Sequence, residues 1–160
     1  MGRARRATGM IRVARLVASF GGAGFAPVAS GTVASALALG LGAALLWGAP
    51  AALPLAALAA TAGGVWAIRA AGVEGDPGWV VIDEVAGQWV ALLGLGRVTP
   101  LGLLAAFLGF RLLDIAKPGP IGWADRQGGA GGIMADDLIA GALVAAALWV
   151  VRARWPWVLG

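Results

Sequence analysis

The stretch RLLDIAKPGPIGWADRQGGAGGIMADD, residues 111–137, separates two apolar runs and holds four of the eight carboxylates in this 160-residue chain. It also carries three of the twelve basic residues, Arg111, Lys117 and Arg126. Charged groups between apolar segments are unfavourable unless they are paired or serve a function. We therefore expect residues 111–137 to join two helices and to contain a functional site.

The composition is that of an integral membrane protein. Hydrophobic residues make up 60% of the chain, and the mean hydropathy is +0.86. Charged residues make up 12%, against a usual share of about 25%. A soluble domain of this length could not bury so much apolar surface. An alanine-rich soluble helical protein is the alternative.

The chain contains no cysteine and no histidine. This excludes disulfides, thiol nucleophiles, imidazole bases and the usual ligands of transition metals. It also excludes the Ser-His-Asp and Cys-His mechanisms. Any bound metal must be held by oxygen atoms, which favours Mg²⁺, Mn²⁺ or Ca²⁺.

Five apolar runs predict an all-α, polytopic membrane protein. They cover residues 32–49, 51–71, 79–96, 101–116 and 136–151. A helix of sixteen residues spans only about 24 Å of the roughly 30 Å hydrocarbon core, so we expect three to five hydrophobic helices. Pro118 and Pro120 end the fourth run, and residues 117–135 are predicted to form a long, Gly-rich polar loop.

Three segments follow from this pattern. Residues 1–31 form a basic, Gly-rich, membrane-proximal segment, residues 32–151 the membrane domain, and residues 152–160 a C-terminal tail. A signal peptide is disfavoured because glycine and proline break the stretch that follows the basic start. Nucleic-acid binding is not expected, since no aromatic platform or groove-reading motif accompanies the arginines.

The distribution of basic residues predicts the orientation. With the N-terminus in the cytoplasm and five spans, the inner side carries Arg3, Arg5, Arg6, Arg12, Arg15, Arg69, Arg111, Lys117 and Arg126. The outer side keeps only Arg97, Arg152 and Arg154. An excess of basic residues marks the cytoplasmic side, so this orientation is favoured.

The same orientation brings six carboxylates to one level at the cytoplasmic side: Asp83, Glu84, Asp114, Asp125, Asp136 and Asp137. The orientation was derived from arginine and lysine alone, so this convergence is an independent observation. Carboxylates this close repel one another in a low dielectric, and a divalent cation relieves the repulsion by binding several at once. Glu74 and Asp76 are predicted to lie in a solvated turn.

Simpler roles exist for the same residues. Asp136 with Asp137, and Asp83 with Glu84, could cap helices and complement their dipoles. Arg111 and Asp114 could form a plain intrahelical pair. Small residues beside the acids, such as Gly87 and Gly141, leave room for close packing or for a ligand. The GGAGG of residues 128–132 could offer backbone N–H groups to a phosphate before a helix start.

Three segments resemble the phosphatidylglycerophosphatase A family, a group of bacterial lipid phosphatases: IDEVAGQWVALL (82–93), FRLLDIAKPGPIGWADR (110–126) and GGAGGIMADDLIAG (128–141). The resemblance implies a Mg²⁺-dependent enzyme that converts phosphatidylglycerophosphate to phosphatidylglycerol. Residues 30–35, SGTVAS, depart from the family's usual P-G-T-x-G-S at Ser30 and Ala34, so we assign no role to Thr32.

The resemblance places seven residues in the active site: Asp83, Glu84, Asp114, Lys117, Asp125, Asp136 and Asp137. As metal ligands we predict Glu84, Asp114, Asp136 and Asp137. Asp83 would lie behind them or bind the metal through water. Lys117 and Arg111 would stabilise charge on the phosphoryl group, and Asp125 would act as general acid or base. Direct attack by water and a covalent aspartyl-phosphate both stay open.

The expected partners are phosphatidylglycerophosphate and the surrounding lipid. The expected location is the bacterial cytoplasmic membrane, with the active site on the cytoplasmic side. The oligomeric state is left open.

Two other functions compete with this prediction. A divalent-cation transporter would use the acids as a transport site, but it predicts carboxylates near the bilayer midplane and an internal repeat. A phosphatidyltransferase of the CDP-alcohol type also uses Mg²⁺ and aspartates. Its D-G-x-x-A-R…G…D…D pattern is absent from the sequence.

Overall fold

The computed structural model describes the backbone of residues 2–159 and the side chains of residues 8–159. Within this part of the chain the secondary structure is helical, without a strand. The α-helices are α1 (Gly2–Ala18), α2 (Ser30–Gly48), α3 (Ala52–Ala70), α4 (Ile82–Leu92), α5 (Pro100–Ala116), α6 (Pro120–Asp125), α7 (Gly129–Arg154) and α8 (Pro156–Leu159). The predicted fold class, an all-α membrane protein, is confirmed.

Three helices are long and apolar enough to cross a membrane: α2 and α3 with 19 residues each, and α7 with 26. At 1.5 Å per residue α7 is about 39 Å long, more than the thickness of the hydrocarbon core. Large apolar side chains on the outer faces are exposed, including Leu41, Leu58 and Leu104. An apolar outer surface of this extent is suited to contact with lipid.

Helix α4 lies at the centre of the bundle. It packs against α2, α3, α5 and α7. Buried residues occur on all of its faces between Ile82 and Leu92. With 11 residues it is much shorter than the predicted run 79–96. A short central helix can begin and end within the protein, because its neighbours, rather than lipid, surround its ends.

The approach to α4 is fixed by contacts with the N-terminal part of the chain. The backbone N–H of Val81 donates to the carbonyl of Ala18 at 2.9 Å. Trp79 stacks on Phe25 with 6.0 Å between ring centroids, and the guanidinium of Arg15 lies 5.1 Å from the centre of the Trp79 ring. These contacts hold the first turn of α4, which carries Asp83 and Glu84.

The ends of α5 follow its sequence. The side chain of Thr99 accepts a hydrogen bond from the backbone N–H of Gly102 at 3.1 Å, with Pro100 in the first turn. Lys117 ends the helix in the left-handed conformation, with φ 46° and ψ 50°. Pro118 follows and cannot continue the helix, as the sequence predicted.

The predicted long loop over residues 117–135 is wrong. Residues 120–125 form α6, and α7 begins at Gly129 rather than at Asp136. Glycine weakens a helix on its own, but here it permits close packing. A methyl group on Gly132 would lie only 3.0 Å from the carbonyl oxygen of Ala124 in α6, so the first turn of α7 packs closely against α6.

Helices α4 and α7 cross in close backbone contact. A methyl group on Gly87 would lie 2.7 Å from the carbonyl oxygen of Asp137, and one on Gly141 would meet the carbonyl of Gly87. Gly94 makes a similar approach to the backbone of Ala145. Small residues allow helix backbones to approach in this way. Of the two roles left open for the small residues beside Glu84 and Asp137, the structure shows close packing at Gly87 and Gly141.

Replacing Gly87 by alanine should destabilise the fold, because the new methyl group meets backbone that cannot rotate away. We expect the free energy of unfolding to fall by about 1–3 kcal/mol, the usual effect of overpacking. The measurement is an SDS-induced unfolding titration of the protein in mild-detergent micelles. Gly40→Ala in α2 is the matched control, since a methyl group there would have no neighbour within 4 Å. Equal stability of the two variants would contradict the proposed importance of this crossing.

Candidate active site

Asp83 and Glu84 in the first turn of α4 meet Asp137 of α7. One carboxylate oxygen from each lies within 4.8 Å of the others. We call these three residues the acidic triad. Asp83 and Asp137 are buried, with 6% and 3% of their surface exposed, and Glu84 is half-buried. The triad lies one helical turn from the glycine crossing, since Asp137 precedes Gly141 by four residues and Glu84 precedes Gly87 by three.

Three buried oxygens of the triad, Asp83 Oδ1, Glu84 Oε2 and Asp137 Oδ1, have no hydrogen-bond partner among the described residues. Buried polar atoms are nearly always paired, so unpaired ones indicate a missing partner. Three carboxylates this close also repel one another. An oxygen-binding divalent cation satisfies both requirements, because it binds several carboxylates at once. The residues present therefore fit a Mg²⁺, Mn²⁺ or Ca²⁺ site.

Arg111 and Asp114 lie beside the triad, near the C-terminal end of α5. The Nη1 of Arg111 forms an ion pair with Oδ2 of Asp114 across one turn, as the spacing predicted. A methyl group on Gly31 would contact both Glu84 and Nη1 of Arg111, so the pair lies at the same site as the triad. The Nε of Arg111 is buried without a partner within the described chain, and it can donate to a further ligand.

Lys117, Asp125 and Asp136 form a second group, which we call the lysine cluster. The Nζ of Lys117 lies 2.5 Å from Oδ1 of Asp125 and 2.6 Å from Oδ2 of Asp136. The left-handed backbone at Lys117 directs the chain from α5 into α6, which brings Asp125 back to this lysine. An ammonium group has three donors, so one is left for another acceptor.

The structure separates the predicted metal ligands into these groups. Glu84 and Asp137 meet in the acidic triad, together with Asp83, which we had expected to lie behind the metal. Asp114 is paired with Arg111, and Asp136 with Lys117. Asp136 and Asp137 are the eighth and ninth residues of α7, so helix capping is not their role.

Three residues near the site were missed from the sequence. Gly31 in the first turn of α2 lies against Glu84 and Arg111, and a methyl group there would collide with Oε1 of Glu84. Gln88 is fully buried, and both polar atoms of its amide lack partners in the described structure. It follows Glu84 by one helical turn and shares a face with it, a spacing visible in the sequence to which no role was assigned.

Asp76 is the third missed residue. Its side chain is exposed in the loop before α4, as predicted for a solvated turn. Its carboxylate is also near enough to Lys117, Asp125 and Asp114 to interact with them electrostatically. The loop before α4 therefore brings a seventh carboxylate to the edge of the site. Its position seven residues before Asp83 was the only available signal. Glu74, from the same loop, instead lines a surface cavity with Arg15 and Trp79.

Lys117 should remain charged at unusually high pH. Burial acts to lower the pKa of its ammonium group, but hydrogen bonds with Asp125 and Asp136 outweigh this effect and raise the pKa above the ordinary 10.5. A raised folded-state pKa contributes stability below pH 10.5, and this contribution is lost as the pH rises through the folded pKa.

The only lysine in the sequence is Lys117, so isotope-labelled lysine gives a single NMR signal to titrate in detergent micelles. We expect its midpoint above 10.5, and a return toward 10.5 when Asp125→Asn and Asp136→Asn are combined. Glu74→Gln should leave the midpoint unchanged. A midpoint at or below 10.5 in the unaltered protein would show that the cluster does not hold this lysine as described.

The comparison with known proteins points to one family. The model of the family described as Phosphatidylglycerophosphatase A matches residues 16–152, which confirms the resemblance seen in the sequence. The Phosphatidylglycerophosphatase A of Escherichia coli is 42% identical over 82 residues, covering 51% of this chain and 48% of that protein. The one from Haemophilus influenzae is 41% identical over 66 residues, covering 41% and 40%.

These two matches span only half or less of each curated relative. A longer match is to a Bacteroides thetaiotaomicron protein named "Putative phosphatidylinositol-3-phosphatase". It is 35% identical over 144 residues, covering 81% of this chain and 90% of that protein. No solved structure matches the chain.

Proposed function

The chain belongs to the phosphatidylglycerophosphatase A family, and on this basis we propose that it removes the terminal phosphate of phosphatidylglycerophosphate to give phosphatidylglycerol. The observation that carries the proposal is the acidic triad, whose buried oxygens lack partners within the described residues. Two cationic side chains stand beside it, in a protein with three candidate membrane helices. Carboxylates for a metal, cations for a phosphate and apolar helices for a lipid are what this reaction requires.

Asp83, Glu84 and Asp137 would hold Mg²⁺, with Asp114 beside them as a further oxygen donor. When bound, the cation neutralises phosphate oxygens and makes a water molecule more acidic. By holding the cation, the acids of the triad would determine where a phosphate can bind. Gly31 supports this arrangement, since the absence of a side chain lets Glu84 and Arg111 come together against α2.

Arg111 and Lys117 would bind the oxygens of the phosphoryl group. Arg111 keeps Nε free of described partners, and Lys117 keeps one donor beyond those that contact Asp125 and Asp136. Both cations are held by carboxylates, so neither has to be ordered when substrate arrives. Positive charge fixed in this way stabilises the negative charge that spreads over the phosphoryl oxygens during transfer.

Asp125 would move the proton. In hydrolysis the oxygen of water bonds to phosphorus, the bond from phosphorus to the glycerol oxygen breaks, and that oxygen takes up a proton. The Asp125 side chain is 41% exposed and is held by Lys117, so it can accept a proton from water and return one to the leaving oxygen. Asp136, on the other side of Lys117, would keep the ammonium group in place.

We place the protein in the bacterial cytoplasmic membrane with the site facing the cytoplasm. The site is formed by the start of α4, the end of α5 and the first half of α7, which lie at one end of the bundle. At the opposite end, Gly96 lies against the guanidinium of Arg152. The predicted excess of basic residues on the side of the acids supports this orientation. The comparisons give no support to a cation transporter.

A phosphoinositide is a second candidate substrate. The match to the Bacteroides thetaiotaomicron protein covers more of both chains than the matches to the two phosphatidylglycerophosphatases. Phosphatidylinositol 3-phosphate is also a membrane lipid with a phosphate monoester, and the same groups would act on it. The assay of the proposed function therefore compares both lipids.

The test is phosphate release by the purified full chain in detergent, with Mg²⁺ or with EDTA. We expect release from phosphatidylglycerophosphate that requires Mg²⁺. Asp137→Asn should lower kcat/KM about a hundredfold or more, since it removes a carboxylate that would bind the metal. Glu74→Gln is the matched control, because this carboxylate lies outside the acidic site, and it should keep full activity.

Two results would contradict the proposal. Full activity in EDTA or in Asp137→Asn would exclude the triad as a catalytic metal site. Failure of the folded protein to release phosphate from phosphatidylglycerophosphate would exclude the proposed substrate. Release from phosphatidylinositol 3-phosphate alone would establish the second candidate.

A further inference from the structure

An apolar groove of about 290 Å³ lies between α5 and α7. Its lining is entirely apolar and includes Gly109, Leu112 and Leu113 of α5 and Leu143 and Ala147 of α7. Leu112 is 68% exposed, so the groove opens on the outer surface of the bundle. In a membrane this surface contacts lipid, and the groove is accessible to an acyl chain from the side.

Two helices form this groove and also carry the lysine cluster. On α5, the backbone N–H of Lys117 donates to the carbonyl of Leu113 at 2.8 Å, one turn away. On α7, Leu143 and Ala147 follow Asp136 by seven and eleven residues, so all three lie in one stripe along the helix. Since Lys117 and Asp136 are in contact at 2.6 Å, the groove runs lengthwise away from their ion pair.

The spacing matches the build of a phospholipid. Seven residues of helix separate Asp136 from Leu143, a distance of about 10 Å along the axis. In phosphatidylglycerophosphate, the headgroup glycerol and its phosphodiester lie between the terminal phosphate and the acyl chains. A phosphate at the acidic site would therefore place the first part of an acyl chain near Leu143.

We propose that the groove between α5 and α7 binds an acyl chain of the substrate lipid and contributes to selection of its length. The assignment rests on the proposed function and identifies the part of the protein that holds the apolar part of the substrate. A charged cluster that leads into an apolar groove complements a molecule with an anionic head and an apolar tail. The apolar helices of a second copy of the chain would complement the groove but not the charged cluster at its end.

Gly109 keeps the groove open. A methyl group at this position would lie 3.4 Å from both methyl carbons of Val144, which is ordinary contact without a clash. Gly109→Ala should therefore fold and narrow the groove slightly. Ala147→Phe should fill it. Ala146→Phe is the matched control, because Ala146 is also exposed on α7 and does not line the groove.

The experiment measures kcat/KM for the dipalmitoyl and dihexanoyl forms of phosphatidylglycerophosphate in each variant. We expect Ala147→Phe to lower the ratio of dipalmitoyl to dihexanoyl activity at least about tenfold, the effect of losing the burial of about two methylene groups. Gly109→Ala should lower it less, and Ala146→Phe should leave it unchanged. An unchanged ratio in both groove variants would overturn the proposal. So would a change of oligomeric state with Ala147→Phe, which would make the groove a contact between copies.

A second measurement separates this proposal from the proposed reaction. A phospholipid with a photoreactive acyl chain is crosslinked to the protein in nanodiscs, and the attachment sites are mapped by mass spectrometry. Attachment to residues 105–113 and 143–151, reduced by Ala147→Phe but not by Ala146→Phe, would support the groove even if the chain hydrolysed neither substrate. Attachment spread evenly over the exposed helices would count against it.

Discussion

The glycine crossing between α4 and α7 is the contact on which the site depends. Gly87 and Gly141 bring the two backbones together, and the acids lie one turn away on each helix. Asp137 can reach Asp83 and Glu84 only because no side chain separates the helices at this level. Helix α4 is in turn held by α2, α3 and α5. The same packing that stabilises the bundle therefore fixes the acidic triad.

The excess of negative charge at the site gives two reasons for a bound cation. Seven carboxylates, counting Asp76 at the edge, and two basic side chains gather there, which leaves a formal excess of five negative charges if all are ionised. Such a site would repel a phosphate as well as strain the fold. A divalent cation in the triad would reduce both effects. Arg111 and Lys117, each already held by carboxylates, would then meet an anionic substrate without further ordering.

The outline of the fold could be predicted from apolar runs and prolines, because both act locally. The end of α5 at Lys117 and the helical class were predicted in this way. The start of α7 at Gly129 was missed, since glycine has a low helix propensity and the close packing of Gly132 against α6 is a tertiary contact. The length of α4 was missed because the apolar run 79–96 continues beyond both ends of the helix. Apolar residues outside the helix pack against the rest of the protein although they are not helical.

The acids of the site could also be predicted, because few carboxylates occur in an apolar chain and the orientation brought them to one level. Their pairing could not. Whether Asp83 or Asp136 joins Glu84 and Asp137 depends on the rotation of α7 against α4 and on the reach of Lys117, which are properties of tertiary packing. Gly31 comes from a segment far before Glu84 in the chain, and no local pattern marks it.

A crystal structure of the protein grown with Mn²⁺ would test the central claim most directly, since the anomalous signal of manganese locates the ion without assumptions. The account predicts a peak about 2.0–2.6 Å from carboxylate oxygens of Asp83, Glu84 and Asp137, which is lost in Asp137→Asn. A peak held by Asp125 and Asp136 instead, or no peak within the acidic site, would contradict it.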